Sequence, residues 1–191
     1  AELPYEIRTV EPRKTIVSKS EKIGESLLLM EGWIGRYITH PVEPRGQMVA
    51  LQIPGDFLDL HGFPTGVLDH DVQAITRSRI AAFSHENLAG LIDAHPEVAI
   101  ELWRLTMIDA AIHRHWSFRL GAMRSITRVA NFLYEMKVRL ELSGRSDPGG
   151  FELPLTQTDM SVACGMTPVH LNRVLRDLRE DGCCILKGGA V

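Results

Sequence analysis

The first 83 residues alternate short apolar runs with turn residues, which is the pattern of a β-rich unit. Leu27–Met30 and Trp33–Ile38 flank Glu31-Gly32, and this spacing predicts a hairpin. Further strands are predicted over Gln47–Ile53, Val72–Ile75 and Arg79–Phe83, the last two forming a second pair. Several short strands separated by Gly and Pro predict a β-sandwich or barrel.

After Ser84 the apolar residues recur every three or four positions. Ser84 is predicted to cap a short helix over His85–Asp93, and Pro96 to open a longer one that ends near Leu120. One apolar stripe runs along the longer helix: Leu102, Leu105, Ile108, Ile112 and Trp116. The stripe fits either a dimer seam between two copies of the chain or packing on the β-rich unit, and we favour the dimer.

The remaining residues predict a helical unit. Ser125 is predicted to cap an amphipathic helix that continues from Arg128 to Leu142, before a loop over Ser143–Gly150. The apolar face of this helix comprises Val129, Phe132, Leu133, Met136 and Leu140. A single apolar face is typical of a half-buried helix.

Two short helices with clear start signals follow. Thr156 and Asp159 have the spacing of a capping box, and Gly165 ends the helix that they start. Thr167 suits the cap of the next helix, and Pro168 suits its first position. Two helices joined by a tight turn that contains glycine predict a helix-turn-helix unit.

The second of these helices has hydrogen-bonding side chains on the side that packing leaves exposed. Arg173 can donate two hydrogen bonds to guanine, Asn172 can pair with adenine, and Val169 can touch a thymine methyl group. Such groups near the start of a helix suit the major groove of DNA. The residues predicted here to contact DNA are Thr156, Gln157, Val169, His170, Asn172, Arg173 and Arg176, the first two and the last through the phosphate backbone.

Composition and charge exclude some classes of protein but do not identify the function. The 191 residues are 45% apolar and 24% charged, as in ordinary soluble domains. There is no apolar run of about 18 residues and no apolar leader, so neither a membrane segment nor secretion is expected. Residues 1–118 hold 11 Lys and Arg against 16 Asp and Glu, whereas residues 119–191 hold 10 against 8. The less acidic C-terminal part is where a polyanion would dock.

Cysteine usage points to a reducing compartment. The three cysteines, Cys164, Cys183 and Cys184, lie late in the chain and lack the spacing of metal ligands. A cytoplasmic protein is therefore expected. Cys183 and Cys184 are predicted to be small residues of a short strand over Cys183–Lys187, which Gly188-Gly189 would turn into a wing hairpin.

Three motifs together resemble the Crp/Fnr family of bacterial transcription regulators. They are Ile53-Pro-Gly-Asp-Phe57, the long helix from Pro96, and LPLTQTDMSVACGMTPVHLNRVLRDLREDG from Leu153 to Gly182. The resemblance implies an α+β chain with a jelly-roll (double-stranded β-helix) sensor over residues 1–95, a dimerisation helix over 96–122 and a winged helix-turn-helix over 123–191, its wing incomplete. It also implies a homodimer on a palindromic operator, with RNA polymerase as a partner if the protein activates transcription.

The resemblance adds Thr167 and Pro168 to the DNA-reading positions, beside Val169, His170, Asn172 and Arg173. Pro168 and Val169 stand where other members often have Arg or Glu, so the operator sequence does not carry over.

The sensor departs from the cyclic-nucleotide members of the family. Gly55-Asp56 approximates the Gly-Glu pair that holds the ribose, but Leu68–Asp71 stands where an Arg-Ser/Thr pair would hold the phosphate. Asp69 and Asp71 would repel a cyclic phosphate, so we expect an effector other than cyclic AMP, of unknown identity. No cysteine precedes Cys164, so an iron–sulfur cluster is not expected unless residues before Ala1 supply ligands.

Two other functions remain open. A double-stranded β-helix oxygenase would need two histidines and a carboxylate around a metal, and Asp69-His70-Asp71 alone is a poor substitute. The spacing of His61, His70, His113 and His115 favours structural or surface roles, with a metal- or pH-responsive spot at His70 as the exception. The weak positive charge of the C-terminal part leaves room for a dimeric scaffold that binds no DNA. We favour the regulator over both, and predict no catalytic residue, metal or cofactor.

Overall fold

The computed structural model describes residues 3–40, 42–146 and 150–184. The chain divides into two compact units, residues 1–114 and 115–191. The first unit is mainly β and the second is helical, so the α+β class predicted from the sequence is confirmed.

The first unit contains two antiparallel sheets. Its strands are β1 Glu6–Val10, β2 Thr15–Val17, β3 Glu25–Glu31, β4 Ile34–His40, β5 Glu43–Gln52, β6 Asp71–Ala74 and β7 Ser78–Ser84. One sheet has the order β1-β7-β3 and the other β2-β6-β4-β5. Apolar residues from both sheets, including Leu29, Ile34, Val72 and Ile80, form the core between them. This sandwich matches the predicted jelly roll.

The two predicted hairpins are wrong, although their strands exist. β3 pairs with β7, and β4 pairs with β5 and β6, so Gly32 lies where the chain passes from one sheet to the other. The turn between β6 and β7 also changes sheets. Gly32 has φ +92°, and a Cβ there would lie 2.6 Å from the carbonyl oxygen of Arg77. Apolar alternation therefore identified the strands, whereas their partners depend on contacts distant in the chain.

Three helices begin in this unit: α1 Gly62–Thr65, α2 His85–Ala94 and α3 Glu97–Ala122. Ser84 caps α2 as predicted, its hydroxyl accepting a hydrogen bond from the backbone N–H of Asn87 at 3.1 Å. α3 is the predicted long helix. The boundary between the two units lies within α3, after Arg114.

The second unit contains the end of α3 and the helices α4 Ser125–Leu142, α5 Gln157–Ala163 and α6 Pro168–Glu180. The cap predicted for α4 is wrong: Ser125 is its first helical residue, and Arg124 precedes it without a side-chain capping bond. The apolar face of α4 is buried as predicted. Cys183 and Cys184 follow α6 without regular structure, while the rest of the predicted wing, residues 185–191, lies outside the described residues, as do residues 147–149 of the predicted loop.

A buried arginine fixes α3 to α4 within the second unit. Arg119 is 0% exposed and forms an ion pair with Glu135 of α4. Its guanidinium lies 4.4 Å from the ring centre of Trp116, whose Nε1 also donates to Glu135 at 3.0 Å. The ring of Phe132 packs edge-on against Trp116. The Glu135 carboxylate therefore serves a buried guanidinium and an indole N–H in an apolar core, and it also pairs with Arg139 at 3.3 Å.

Candidate nucleic-acid interface

The first helix of the pair, α5, begins with a complete capping box. The hydroxyl of Thr156 accepts from the backbone N–H of Asp159 at 3.1 Å, and the Asp159 carboxylate accepts from the N–H of Thr156 at 2.8 Å. Both predicted partners are thus confirmed. Thr156 and Gln157 are exposed beside this cap, where hydroxyl and amide groups can reach a phosphate.

The turn between α5 and α6 is tight and depends on glycine. Gly165 has φ +59°, a left-handed conformation that glycine adopts without steric cost. The next residue, Met166, donates its N–H to the carbonyl of Ser161 at 2.9 Å. Thr167 then caps α6 by accepting from the N–H of His170 at 3.2 Å, and Pro168 is the first helical residue. The predicted start of α6 is confirmed.

The side chain of Arg128 in α4 stabilises this turn through hydrogen bonds to its backbone carbonyls. Its Nη1 donates to the carbonyl oxygens of Cys164 and Gly165 at 3.1 and 3.3 Å, and its Nη2 donates to the carbonyl of Met123 at 3.0 Å. The sequence does not indicate this role, because nothing in the spacing of Arg128 links it to a turn more than thirty residues later.

Apolar packing between the two helices fixes their crossing. Met160 and Cys164 pack at the α5 side, and Leu171 and Val174 at the α6 side, all buried. Burial raises the pKa of the Cys164 thiol to about 12, so this cysteine is a neutral core residue at physiological pH.

The opposite face of α6 is open to solvent. Val169 is 81% exposed, and Asn172, Arg173 and Arg176 are also exposed, whereas His170 is half-buried. With Thr167 these residues line a shallow concavity of about 480 Å³. His170 Nδ1 lies 3.0 Å from Nη2 of Arg173, and Arg176 lies 3.9 Å from both Asp177 and Glu180. The predicted α6 residues therefore share one accessible, polar surface.

The predicted dimer stripe divides along α3. In the first unit Leu105 and Ile108 are exposed and Leu102 and Ile112 are half-buried, beside further exposed apolar residues. Those neighbours are Ile100, Trp103 and Met107. Trp116 differs, because it is 1% exposed and packs inside the second unit. It has no surface to offer a second chain, so Trp116 does not belong to the stripe.

The predicted sensor positions make contacts of their own. Gly55 has φ +104°, and Asp56 accepts from the backbone N–H of Ile53 at 2.8 Å. Asp71 accepts from the N–H of Lys19 at 2.8 Å, whereas the Asp69 side chain is 80% exposed and contacts His70 Nδ1 at 2.7 Å.

The fold also brings His61 close to Asp69 and His70. Its ring lies 5.3 Å from that of His70, although the two residues are separated by α1 and a turn. Burial and the positive charge of Arg36 lower the pKa of His61 to about 4, and burial lowers the pKa of His70. Both imidazoles are therefore neutral at physiological pH. No sequence spacing indicated this pairing.

Comparison with known proteins supports a regulator. Residues 127–191 match the Crp-like helix-turn-helix domain. The transcriptional activator protein FnrL of Cereibacter sphaeroides is 29% identical over 147 residues, which are 75% of this chain and 58% of that protein. The nitrogen fixation regulation protein FixK of Azorhizobium caulinodans is 22% identical over 171 residues, 89% of this chain and 68% of that protein. Both of these relatives are named as regulators, and the chain spans 58% and 68% of their lengths.

Solved structures agree on the fold. The structure of FixK2 from Bradyrhizobium japonicum superposes with a TM-score of 0.87 at 23% identity, covering 97% of this chain and 90% of that one. A CooA mutant from Carboxydothermus hydrogenoformans gives a TM-score of 0.76 at 15% identity, covering 97% and 81%. Among the described residues, no helix combines the length and apolar character needed to cross a bilayer.

Proposed function

We propose that this chain belongs to the Crp/Fnr family of transcription regulators, binds duplex DNA sequence-specifically and thereby controls transcription in the cytoplasm. The observation that carries the proposal is the exposed face of α6, where Val169, Asn172, Arg173 and Arg176 stand clear of a buried packing face. A helix held this way by capping, a glycine turn and Arg128 can enter the major groove without rearranging.

We assign a DNA contact to each exposed side chain of this face. Arg173 donates to a guanine edge, Asn172 pairs with an adenine, and Val169 contacts a thymine methyl group. Arg176 binds a phosphate, and its weak 3.9 Å contacts with Asp177 and Glu180 are given up. Thr156, Gln157, Thr167 and Pro168 meet the backbone, and His170 holds Arg173 in place.

The proposed functional unit is a homodimer that uses the exposed apolar residues of α3 in the first unit. Leu105 and Ile108, three positions apart on one face of α3, are exposed apolar side chains that a second chain would remove from water. Two chains related by a two-fold axis would present two α6 helices to half-sites about one turn of DNA apart, hence a palindromic operator. Contact with RNA polymerase would follow if the protein activates transcription.

The proposed effector is not cyclic AMP. The family resemblance puts the phosphate of a cyclic nucleotide beside Leu68–Asp71, and the exposed Asp69 carboxylate would repel it. Calorimetry with cyclic AMP should detect weak binding at most, and micromolar binding would contradict this part of the proposal.

Selection of bound duplexes from a randomised pool tests the function as a whole. A two-fold-symmetric consensus, bound less tightly as salt is raised, is the expected result because phosphate contacts release counterions. No enrichment, with or without cell extract to supply an effector, would contradict DNA binding and favour a scaffold.

The dimer has its own test in sedimentation velocity. Replacing both Leu105 and Ile108 by Glu should yield monomers, whereas Leu142→Glu, on an exposed apolar residue of α4, should not. A double variant that remains dimeric would place the interface elsewhere.

A further inference from the structure

We propose that His61, Asp69 and His70 form a binding site for a divalent first-row transition ion of the class that imidazole ligands favour, such as Zn²⁺ or Fe²⁺. His61 immediately precedes α1, and Asp69 and His70 immediately precede β6. One potential ligand atom from each residue lies within 4.8 Å of the other two. The site lies in the β unit, and its test needs no DNA, so it stands or fails separately from the proposed function.

The distances fit a metal after small side-chain rotations. His61 Nε2 lies 3.9 Å and His70 Nδ1 lies 2.7 Å from the same Asp69 oxygen. Ligands at about 2.0–2.2 Å from Zn²⁺ are separated from one another by roughly 3–3.5 Å, between these two values. Two imidazoles and a carboxylate form a common set for Zn²⁺ and for Fe²⁺, with the remaining positions open to water.

The Asp69 carboxylate holds the buried ring of His70 at the nitrogen that faces the site. His70 is 4% exposed, and its Nδ1 lies 2.7 Å from the Asp69 oxygen. A metal bound to Nδ1 takes the place of the proton in this contact, and the neutral imidazole then carries its proton on Nε2. Asp69 and His70 are thus neighbouring ligands, and the carboxylate is necessary to the site.

The surrounding charges allow a cation. Arg36 is the positive group nearby, but its Nη1 is 2.7 Å from the Asp109 carboxylate and its Nε donates to the carbonyl of Leu58 at 2.8 Å. His113 Nε2 lies 3.4 Å from the same Nη1. Because Asp109 compensates Arg36, the negative charge of Asp69 remains available for the metal.

The site is also accessible. The His61 side chain is about one-third exposed, and Asp69 is largely in solvent. An ion can therefore reach the ligands and keep water molecules, while His70 anchors the site to the core.

Titration of the full-length chain with Co²⁺, followed by its visible absorption, tests the site. One equivalent per chain is expected, displaced by Zn²⁺. His61→Gln, Asp69→Asn and His70→Gln should each weaken binding at least about tenfold. His95→Gln is the matched control, because His95 is an exposed histidine near Glu97 and outside the cluster.

Two further measurements make the test decisive. Thermal melts of the metal-free variants check folding, and Asp69→Asn changes a mainly exposed side chain, so this variant should melt like the wild type. The double variant Cys183→Ser/Cys184→Ser should bind Co²⁺ as the wild type does. No stoichiometric binding, unchanged affinity in His61→Gln and Asp69→Asn, or loss of binding in the cysteine variant would each overturn the proposal.

Discussion

Among the described residues, each unit of this chain buries one arginine almost completely, and the two are stabilised in different ways. Arg36, 1% exposed in the β unit, bonds to Asp109 and to the carbonyls of Leu58 and Phe57. Arg119, in the helical unit, bonds mainly to Glu135, and its Nε and Nη2 have no hydrogen-bond partner among the described residues. Backbone carbonyls thus share the charge of Arg36, whereas Arg119 depends on one carboxylate and on aromatic rings.

This difference predicts which unit is more sensitive to losing an acidic partner. Backbone carbonyls at a sheet edge or in a loop can accept hydrogen bonds from a guanidinium. Carbonyls inside a helix already accept the hydrogen bonds of the helix itself. Removing the acidic partner of the buried arginine should therefore lower the unfolding free energy more in the helical unit than in the β unit.

The largest effect is expected for Glu135→Ala. The variant leaves Arg119 as a buried charge without its partner and removes the acceptor of Trp116 Nε1, so we expect a loss of about 3–5 kcal/mol in the unfolding free energy of the second unit. Denaturant unfolding followed by circular dichroism measures it. Glu141→Ala is the control, because its exposed pair with Lys137, at 3.6 Å, contributes less than about 1 kcal/mol. Equal losses in the two variants would contradict the role of burial.

Asp109→Ala should cost less. Arg36 keeps the carbonyls of Leu58 and Phe57, so the loss is that of one hydrogen bond to a charged group, about 1.5–3 kcal/mol in the unfolding free energy of the first unit. The same unfolding experiment compares the two variants directly. A loss larger than that of Glu135→Ala would mean that carbonyls do not compensate the charge of Arg36.

Arg173→Ala contrasts a surface arginine with the two buried ones. We expect an unchanged melting temperature and a loss of about 1–3 kcal/mol in specific DNA binding, from one bidentate base contact. Fluorescence anisotropy on the selected operator measures the affinity. Arg77→Ala, on an exposed arginine of the β unit, is the control. Equal affinities of Arg173→Ala and wild type would remove Arg173 from the base-reading positions.

The features that the sequence predicts correctly depend on residues that are close together in the chain. The capping box at Thr156 and Asp159 and the start of α6 involve neighbours three residues apart, and both were predicted. The change of sheet at Gly32, the Arg128 bonds to the turn and the meeting of His61 with His70 join residues that only the complete fold brings together. The exclusion of Trp116 from the dimer stripe has the same origin, since an apolar stripe does not reveal what covers it.

A pH-dependent effect concerns Asp59, a second buried ionisable group of the β unit. Its Oδ1 accepts from the backbone N–H of Leu27 at 2.9 Å, but desolvation dominates and raises the pKa of the carboxyl from 3.8 to about 7. At pH values between about 4 and about 7, the Asp59 carboxyl is protonated in the folded state but ionised in the unfolded state. The free energy of unfolding must therefore fall as pH rises through this range. The slope is at most about 1.4 kcal/mol per pH unit. Asp59→Asn cannot ionise, so its unfolding free energy should lack this part of the slope when both proteins are unfolded in denaturant at pH values across that range. Parallel pH profiles would mean that Asp59 is ionised in the folded protein, with Arg36 and Leu27 outweighing its burial.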